Sequence, residues 1–600
     1  MKGTDHNRRR WLPASRKELA LMGEEEADVI LFTGDAYVDH PSFGAAVIGR
    51  VMEDAGAVVA IVPQPNWRDD LRDFRKMGRP RLFFAVTAGN MDSMVNHYTA
   101  ARRLRSDDAY TPGGKSGFRP DYPTIVYTSI LKRLYPDVPV VIGGIEASMR
   151  RLSHYDYWKD CVEPSVLISS GADMLVYGMA EGAVREIIRL MKKGVPFASL
   201  KTVPQTGIVI DKGEAVPVSR IWSDLHLDSH EEVVADKKKF ARSFVLFETE
   251  TNKIEQSRIL QATGDRVVVV NPPFPPAESV DLDNIYELPF TCLPHPRYRG
   301  KGAIPAWEMI RNSVTIHRGC FGGCSFCAIA AHQGKHVTSR SMESVLHEID
   351  RLTETEDFNG VITDLGGPSA NMYGMKPSDK GKCLRCTRSS CIWPSVCKNL
   401  ETSHRRLNEL YEQASNRAGV KRIFIGSGIR YDLLLGGFNR NAGRDEEEYL
   451  RNLLERHISG WFKVAPEHTD DEVLKLMRKP AFELFRQLKK RYDAITRKTD
   501  RKGVIVPYLI SSHPGCTERK MEEMAEELND LGIKPEQVQE FTPTPMTLST
   551  TIWYTGFNPY TGKKVYIPRD VKERKRQKDV LFRRKSVAGA KKNRGGRPGS

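Results

Sequence analysis

Short apolar runs alternate with helix-periodic stretches in the first third of the chain. Continuous apolar runs of this length are typical of strands buried on both faces of a sheet. The pattern predicts an α/β unit over residues 25–200, a doubly wound parallel sheet with helices on both faces. Its five predicted strands are DVILFTG (28–34), AVVAIVP (57–63), RLFFAVT (81–87), VPVVIGG (138–144) and ADMLVYG (172–178).

A second series of strand–helix units begins near residue 314. Its predicted strands are VTIHRG (314–319), GVITDLGG (360–367), RIFIGSG (422–428), WFKVAPEH (461–468), GVIVPYLISS (503–512) and VQEFTPTP (538–545). Repeated β/α units predict a parallel, curved sheet over 309–570, with functional residues in the loops after the strands. The polar candidates at these strand ends are Ser427, Arg430, Glu467, His468, Ser511, Ser512 and His513.

Three segments lie outside these two repeats. Residues 1–24 are predicted to form an N-terminal extension, and residues 201–308, with short strands and Pro-rich connections, a linking region. Residues 571–600 carry twelve Lys and Arg against two acidic residues, which is most of the net charge of +15. This composition predicts a disordered basic C-terminal tail, and its charge favours nucleic acid as a partner.

The composition also bears on location and on the use of cysteine. No apolar run approaches the length that spans a bilayer, and the N-terminus lacks an apolar signal segment, so we expect a cytoplasmic protein with no membrane partner. Seven of the ten cysteines fall between Cys320 and Cys397. In a reducing compartment such clustering indicates metal binding rather than disulfides. The lone Cys161, Cys292 and Cys516 are expected to be small, buried or partly buried residues.

The first cysteine cluster is HRGCFGGCSFC, in which Cys320, Cys324 and Cys327 form a CxxxCxxC. Three thiolates at these spacings suit three irons of a [4Fe–4S] cluster, and the fourth iron then keeps an open coordination position. A structural zinc site is the alternative. It would need His317 or His332 as its fourth ligand.

A CxxxCxxC with an aromatic residue before the third cysteine resembles the signature of radical S-adenosylmethionine (SAM) enzymes. The resemblance implies a partial (β/α)6 barrel, a [4Fe–4S] cluster on the three cysteines, and SAM chelated to the open iron. The reduced cluster would cleave SAM to a 5′-deoxyadenosyl radical. Gly366 and Gly367 occupy the place of the family's SAM-binding glycines, although Pro368 stands where many members have Glu. The expected partner is a reductant such as flavodoxin or ferredoxin, and the substrate is unknown.

A second cluster, CLRCTRSSCIWPSVC, lies in an insertion over residues 368–400 and contains Cys383, Cys386, Cys391 and Cys397. Four thiols within fifteen residues, beginning with a CxxC, indicate a second metal site. The full set of four ligands favours zinc. A position beside a SAM-cleaving site favours an auxiliary [4Fe–4S] cluster, and the sequence leaves both alternatives open.

The N-terminal unit resembles the cobalamin-binding-type domain that precedes the barrel in many radical SAM proteins. The cobalt-ligating motif of that domain is D-x-H-x-x-G, whereas DHPSFG places Asp39 directly before His40 and one residue too many before Gly44. A degenerate domain kept for architecture is therefore the alternative to one that binds cobalamin. The candidate residues after its strands are Asp35, Asp39, His40, Gly143, Gly144 and Glu146.

The order of modules, with EFTPTPMTLSTTIWYTGFNP after the sixth strand, resembles the YgiQ family of radical SAM proteins up to about residue 570. The sequence therefore predicts a radical SAM enzyme of undefined reaction. Two alternatives make use of the basic tail. One is an RNA-binding accessory protein with structural zinc, and the other is a radical SAM enzyme that modifies RNA.

Overall fold

The structure, a computed structural model, describes residues 11–435, 442–498 and 503–582. The doubly wound sheet of the N-terminal unit is confirmed, and its strands lie parallel in the order β2-β1-β3-β4-β5. Every residue of the first two strands is buried, as expected for a sheet covered on both faces. The strands are β1 (Val29–Thr33), β2 (Val59–Pro63), β3 (Phe83–Thr87), β4 (Val140–Gly143) and β5 (Met174–Val176).

The same sheet continues into the range for which the sequence predicts a linking region. The added strands are β6 (Thr206–Asp211), β7 (Asp224–His226), β8 (Arg258–Thr263) and β9 (Arg266–Val270). β6 pairs antiparallel with β5 and with β9, which gives nine strands in the order β2-β1-β3-β4-β5-β6-β9-β8-β7. Ile208, Val268 and Val269 are buried in this sheet. Because this apolar surface is shared, residues 201–308 extend the first unit instead of linking two units.

The predicted N-terminal extension also packs on the first sheet. Leu12 is fully buried, and so is Leu19 in the helix Arg16–Leu21. Residues 11–24 therefore pack on this unit, with Leu12 and Leu19 in its core. The other helices of the unit are Gly44–Asp54, Arg72–Arg75, Ser93–His97, Pro123–Leu134, Gly144–Ser148, Val166–Ser170, Glu181–Lys192, His230–Ala235, Lys237–Thr251, Ser279–Tyr286 and Pro305–Ile310.

The second unit is confirmed as a six-unit partial barrel. Its strands are β10 (Ser313–Thr315), β11 (Val361–Ile362) with its continuation β12 (Asp364–Gly366), β13 (Arg422–Ile423), β14 (Trp461–Glu467), β15 (Val504–Ser511) and β16 (Val538–Glu540). β10 pairs with β12, β11 with β13, and β15 with both β14 and β16, all parallel. A parallel bridge between Ile429 and Val464 joins the third unit to the fourth. The carboxyl ends of all six strands therefore open on one mouth.

Helices follow the barrel strands as the repeat predicts. They are Ile329–Gln333, Met342–Thr353, Arg405–Ser415, Tyr431–Leu435, Ala442–Asn452, Asp471–Met477, Phe482–Thr496, Glu518–Asp530 and Leu548–Thr555. Among the helices of the described ranges, none is long and apolar enough to cross a membrane.

The helix Val571–Val580 lies where the sequence predicts the start of the disordered tail. Its Arg574 is 4 % exposed and donates to the carbonyl of Ala100 (3.1 Å) and the hydroxyl of Tyr157 (2.6 Å) in the first unit. Arg574 also pairs with Glu540 of the barrel (3.1 Å). The predicted boundary at residue 571 is therefore wrong, because buried polar contacts fix a helix that has little apolar surface. Residues 583–600 of the predicted tail lie outside the described ranges.

Replacing Gln577 by Ala is expected to lower the free energy of unfolding by about 2–4 kcal/mol. The fully buried Gln577 accepts from the Ser512 N–H (3.0 Å) and donates to the Cys516 carbonyl (3.1 Å). Each buried backbone group left without a partner costs about 1–3 kcal/mol. Chemical denaturation measures the change, with the exposed Lys575→Ala on the same helix as the control. Equal stability of the two variants would contradict this role for Gln577.

Candidate functional site

The CxxxCxxC loop follows β10 and the short strand His317–Arg318, and it ends at the helix Ile329–Gln333. Two glycines bring it against neighbouring segments. At Gly319 (φ +82°) an added Cβ would lie 2.0 Å from the carbonyl oxygen of His336. At Gly323 (φ +57°) it would lie 2.1 Å from the carbonyl oxygen of Ser389. Only glycine fits these two positions, so the loop is held tightly at the mouth of the barrel.

The three thiols of this loop are free, partly buried and close to one another. Burial raises the pKa of Cys327 to about 12, and the neighbouring Cys324 and Cys320 also act to raise it. Burial likewise raises the pKa of Cys320, which the charge of Arg430 opposes. A metal centre takes thiols as thiolates and displaces their protons. Three thiols with a free fourth position therefore fit the open [4Fe–4S] cluster that the motif predicts.

The donor arrangement also bears on the kind of metal site. Within the described residues, no three His, Cys, Asp or Glu side chains are grouped so that they could hold a single metal ion. In a cubane cluster each thiolate binds its own iron, so the ligands of such a cluster are not required to converge on one point.

Arg430 brings a positive charge to the cysteine loop. Its Nη1 donates to Cys324 Sγ at 3.3 Å, and its Nε donates to Asp432 at 3.0 Å. Arg430 and Asp432 are 8 % and 5 % exposed. The charge of Arg430 acts to lower the pKa of the neighbouring Cys320. The sequence predicts Arg430 at this mouth but misses Asp432, which is a helix residue and not a strand-end residue.

A chain of hydroxyl groups fixes the peptide between Cys324 and Cys327. Ser325 Oγ donates to the carbonyl of Leu476 (2.6 Å) and lies 2.7 Å from Ser549 Oγ. Ser549 Oγ in turn lies 2.7 Å from His513 Nε2. His513 is one of the predicted strand-end residues. Ser325 and Ser549 are missed by sequence reasoning, and the only signal for Ser325 is its place between two cysteines.

The other predicted strand-end residues are bound within the barrel, where their contacts fix the loops after the strands. Ser427 pairs with Asp364, Glu467 with Lys479 (3.4 Å), His468 with Cys516 (3.4 Å), Ser511 with the carbonyl of Gln539 (3.4 Å) and Ser512 with Gln577 (3.0 Å).

The two glycines assigned to SAM lie at the carboxyl end of the second barrel strand. An added Cβ would lie 2.9 Å from Ser427 Oγ at Gly366 and 2.6 Å from His317 Nε2 at Gly367. Both glycines thus allow this strand to pack closely on the neighbouring side chains. Their contact with SAM stays a prediction.

The second cysteine set packs directly on the first loop. The Cys391 N–H and the Ser390 hydroxyl both donate to the carbonyl of Phe321, each at 3.1 Å. The Phe321 side chain is 2 % exposed and belongs to a small apolar cluster that Cys320 and Cys391 both contact. Since Phe321 stands between Cys320 and Cys324, one peptide unit connects the two cysteine sets.

The four thiols of the second set influence one another and a buried lysine. Burial raises the pKa of Cys391 to about 11, Lys335 acts to lower it, and the other three cysteines act to raise it. Lys335 is 6 % exposed and donates to the carbonyls of Arg388 (2.6 Å) and Cys386 (3.4 Å). The four cysteines that the sequence groups are therefore also grouped in space, beside a cation.

A cavity of about 680 Å³ lies between the two units. Cys324 and Cys327 form part of its wall on the barrel side, and Tyr177, Phe247 and Phe274 form part of it on the side of the first unit. A volume of this size is typical of sites for small organic molecules. The cysteine loop therefore faces a cavity that both units shape.

The candidate residues at the carboxyl edge of the first sheet lie outside the wall of this cavity. Asp35 pairs with Arg119 at 2.8 Å, and Arg119 also pairs with Asp108 at 2.9 Å. The guanidinium of Arg119 is fully buried at the carboxyl ends of β1 and β3, and it donates to the Ala88 carbonyl at 3.1 Å. This is the position at which a doubly wound sheet ordinarily binds its ligand.

The remaining residues of this edge are bound to the protein as well. Asp39 pairs with Arg50, His40 Nδ1 accepts from the Ser42 N–H (3.1 Å), and Glu146 accepts from the Thr124 N–H (3.1 Å). Added Cβ atoms at Gly143 and Gly144 would lie 2.9 Å from Val176 and 2.4 Å from Thr87. Because these side chains are engaged within the protein, binding of cobalamin at this edge stays a prediction.

Comparison with known families assigns both units. Residues 11–313 match the family described as "Radical SAM N-terminal", residues 314–528 match the "Radical SAM superfamily", and residues 536–586 match a "Domain of unknown function (DUF3362)". The fold, the cysteine loop and these matches define a radical SAM enzyme, as the sequence predicts. The cofactors of this class are a [4Fe–4S] cluster and SAM.

Within that class, the chain belongs to the UPF0313 family. It is 55% identical to the UPF0313 protein of Porphyromonas gingivalis over 574 residues, which cover 95% of this chain and 90% of that protein. It is also 55% identical to the UPF0313 protein of Bacteroides thetaiotaomicron over 584 residues, with 95% and 94% covered. A similar solved structure is the radical SAM methyltransferase TsrM from Kitasatospora setae with cobalamin and [4Fe–4S] cluster bound. That match has a TM-score of 0.47, 14% identity, and coverage of 93% of this chain and 90% of TsrM.

Proposed function

We propose that this radical SAM enzyme holds its [4Fe–4S] cluster on Cys320, Cys324 and Cys327. SAM then binds the fourth iron, the one that has no protein ligand. Bound there, the cluster and SAM would supply radical chemistry, a 5′-deoxyadenosyl radical able to abstract hydrogen from a substrate. The observation that supports this proposal is the meeting of three partly buried, free thiols in the loop after the first barrel strand. Cys324 and Cys327 of that loop line the cavity.

Residues around the loop then have distinct tasks. Arg430 offsets the negative charge of the thiolates from 3.3 Å away, and Ser325 fixes the peptide between two ligands through Leu476 and Ser549. Gly366 and Gly367 are the proposed backbone contacts for SAM. Walls from both units line the cavity. Exclusion of water from such a site on substrate binding would protect a radical from side reactions.

This proposal is tested by anaerobic reconstitution of the full chain with iron and sulfide. Under reduction by dithionite, the protein is expected to convert SAM to 5′-deoxyadenosine, which chromatography with mass detection measures. Iron and sulfide analysis of the same sample establishes that the cluster is present. Absence of 5′-deoxyadenosine from protein with a full cluster would reject the proposal.

The two RNA alternatives now stand apart. Because the chain belongs to an enzyme superfamily, the alternative of an RNA-binding accessory protein whose barrel is only a scaffold is set aside. RNA as the substrate of the radical stays a hypothesis, and salt-sensitive RNA binding that is lost on truncation would support it. Because Val571–Val580 is part of the fold, such a truncation should remove residues 583–600 only. A cytoplasmic location also stays a prediction.

A further inference from the structure

We propose that the insertion over residues 368–400 is the electron entry site of this enzyme. In this proposal Cys383, Cys386, Cys391 and Cys397 hold a second iron–sulfur cluster, and the basic surface around it docks a small acidic one-electron carrier. The proposal rests on the proposed function, since reductive cleavage of SAM consumes one electron.

The ligand set supports a metal centre. All four cysteines are free and partly buried. The Cys386 N–H donates to the Cys383 carbonyl (3.2 Å), and the Cys397 N–H donates to the Cys391 carbonyl (2.7 Å). These turns hold the thiols in two pairs within one short insertion. Soft thiolates in a set of four suit iron–sulfur clusters as well as zinc.

The position of the insertion favours the cluster over zinc. The N–H of the ligand Cys391 donates to the Phe321 carbonyl at 3.1 Å, and Phe321 directly follows Cys320. Cys391 and Cys320 also contact the same apolar cluster. One hydrogen bond and a few covalent bonds therefore connect a ligand of one centre to a ligand of the other. Such a path serves electron transfer, whereas a zinc site has no redox role.

The surface around the insertion is basic. Residues 376–398 contain six basic side chains and one acidic side chain, Asp379. Lys380, Lys382 and Arg385 are 67%, 71% and 87% exposed at the side chain.

Nearby carboxylates balance only part of this charge. Lys380 pairs with Glu278, Lys382 with Asp379, and Arg385 with Glu255. Lys376 and Lys398 are exposed and have no salt bridge to any described residue. The remaining positive charge is complementary to an acidic partner, and such complementarity mainly raises the rate of encounter.

The electron balance of the proposed step is simple. The reduced carrier loses one electron, the second cluster gains it and passes it to the cluster on Cys320, Cys324 and Cys327, and no proton or atom is transferred. The carrier is the reductant of this step, a low-potential flavodoxin or ferredoxin. Its oxidised form then leaves the basic surface.

Metal and sulfide analysis tests the second cluster. Anaerobically reconstituted wild type is expected to contain about eight irons per chain, and the Cys383→Ser/Cys386→Ser variant about four. Circular dichroism checks that the variant is folded. About four irons with one zinc in the wild type would overturn the proposal, and so would an unchanged iron content in the variant.

Carrier-driven assays test the docking surface without touching a cysteine. In the variant Lys380→Glu/Lys382→Glu/Arg385→Glu, SAM cleavage driven by reduced flavodoxin is expected to be about tenfold or more slower than in the wild type at low salt. Cleavage driven by dithionite, a small reductant, should stay unchanged. The matched control Lys563→Glu/Lys564→Glu/Lys572→Glu changes the same charge on exposed lysines elsewhere. Equal slowing of flavodoxin-driven cleavage in both triple variants, or no slowing in either, would overturn the proposal.

Binding separates this proposal from the proposed function. Flavodoxin affinity for the wild type is expected to fall with ionic strength and to weaken in the insertion triple variant but not in the control. If the wild type failed to cleave SAM even with dithionite, the proposed function would fail, while iron content and flavodoxin binding would still decide the second centre.

Discussion

Simultaneous replacement of Cys320, Cys324 and Cys327 by alanine is expected to abolish formation of 5′-deoxyadenosine. Without these thiolates the irons of the SAM-binding cluster have no protein ligands in the loop. The expected loss is complete, since removal of the cluster removes the source of the electron that cleaves SAM. Product analysis after anaerobic reconstitution measures it, and iron analysis should show a loss of about four irons per chain.

The chain offers a matched control in Cys161, which lies in a hairpin of the first unit and is exposed, not buried or partly buried as the sequence predicts. Cys161→Ala removes a thiol from the same protein and is expected to retain both the iron and the activity. Continued SAM cleavage by the triple variant would show that the cluster is held elsewhere.

Replacement of Arg430 by Gln is expected to have two effects, and the first is on stability. Arg430 and Asp432 form a buried ion pair, with Nε of Arg430 3.0 Å from the carboxylate. Breaking such a pair by removing one partner costs about 3–5 kcal/mol, because a buried charge is left uncompensated. Denaturation of the reconstituted protein measures the loss, and adding Asp432→Asn should restore part of it.

The second effect is on the cluster. The guanidinium lies 3.3 Å from Cys324 Sγ, where a positive charge stabilises the more negative, reduced state of a bound cluster. Net charge and hydrogen bonds to the sulfurs are known to set cluster potentials. The reduction potential should therefore shift to a more negative value in Arg430→Gln, and less so in Arg430→Lys, which keeps the charge. An unchanged potential in a redox titration followed by electron paramagnetic resonance would contradict this assignment.

Much of the fold could be predicted because its strands are continuous apolar runs. All five strands of the first series and all six units of the second lie where the pattern predicts them. The strand β7 shows the limit of this signal. Its sequence, Asp-Leu-His, has no apolar run, and among the described residues its one strand partner is β8.

The candidate site divides in the same way. Local spacing identifies Cys320, Cys324 and Cys327, and the β/α repeat places them at the mouth of the barrel. The contacts that fix the loop join residues far apart in sequence, and no local pattern encodes them. Ser325 meets Ser549 across 224 positions, and Phe321 meets Ser390 across 69.

At the carboxyl edge of the first sheet, Arg119 makes a further contact between residues far apart in sequence. Arg119 follows the loop AYTPGGKSG, which has a superficial likeness to a phosphate-binding loop, yet its guanidinium is buried between Asp35 and Asp108. The first unit therefore keeps the doubly wound fold, while side chains of the protein occupy the position at which such a fold usually binds its ligand.

The helix Val571–Val580 has a consequence for biosynthesis. Through Arg574 it contacts both the first unit and the barrel, yet it leaves the ribosome after every other described element. Domains generally fold in order during synthesis, with the N-terminal domain first. The two units can therefore form before this contact between them exists. Ion pairs such as Arg318 with Glu181 already join the two units, so the helix adds the last of these contacts.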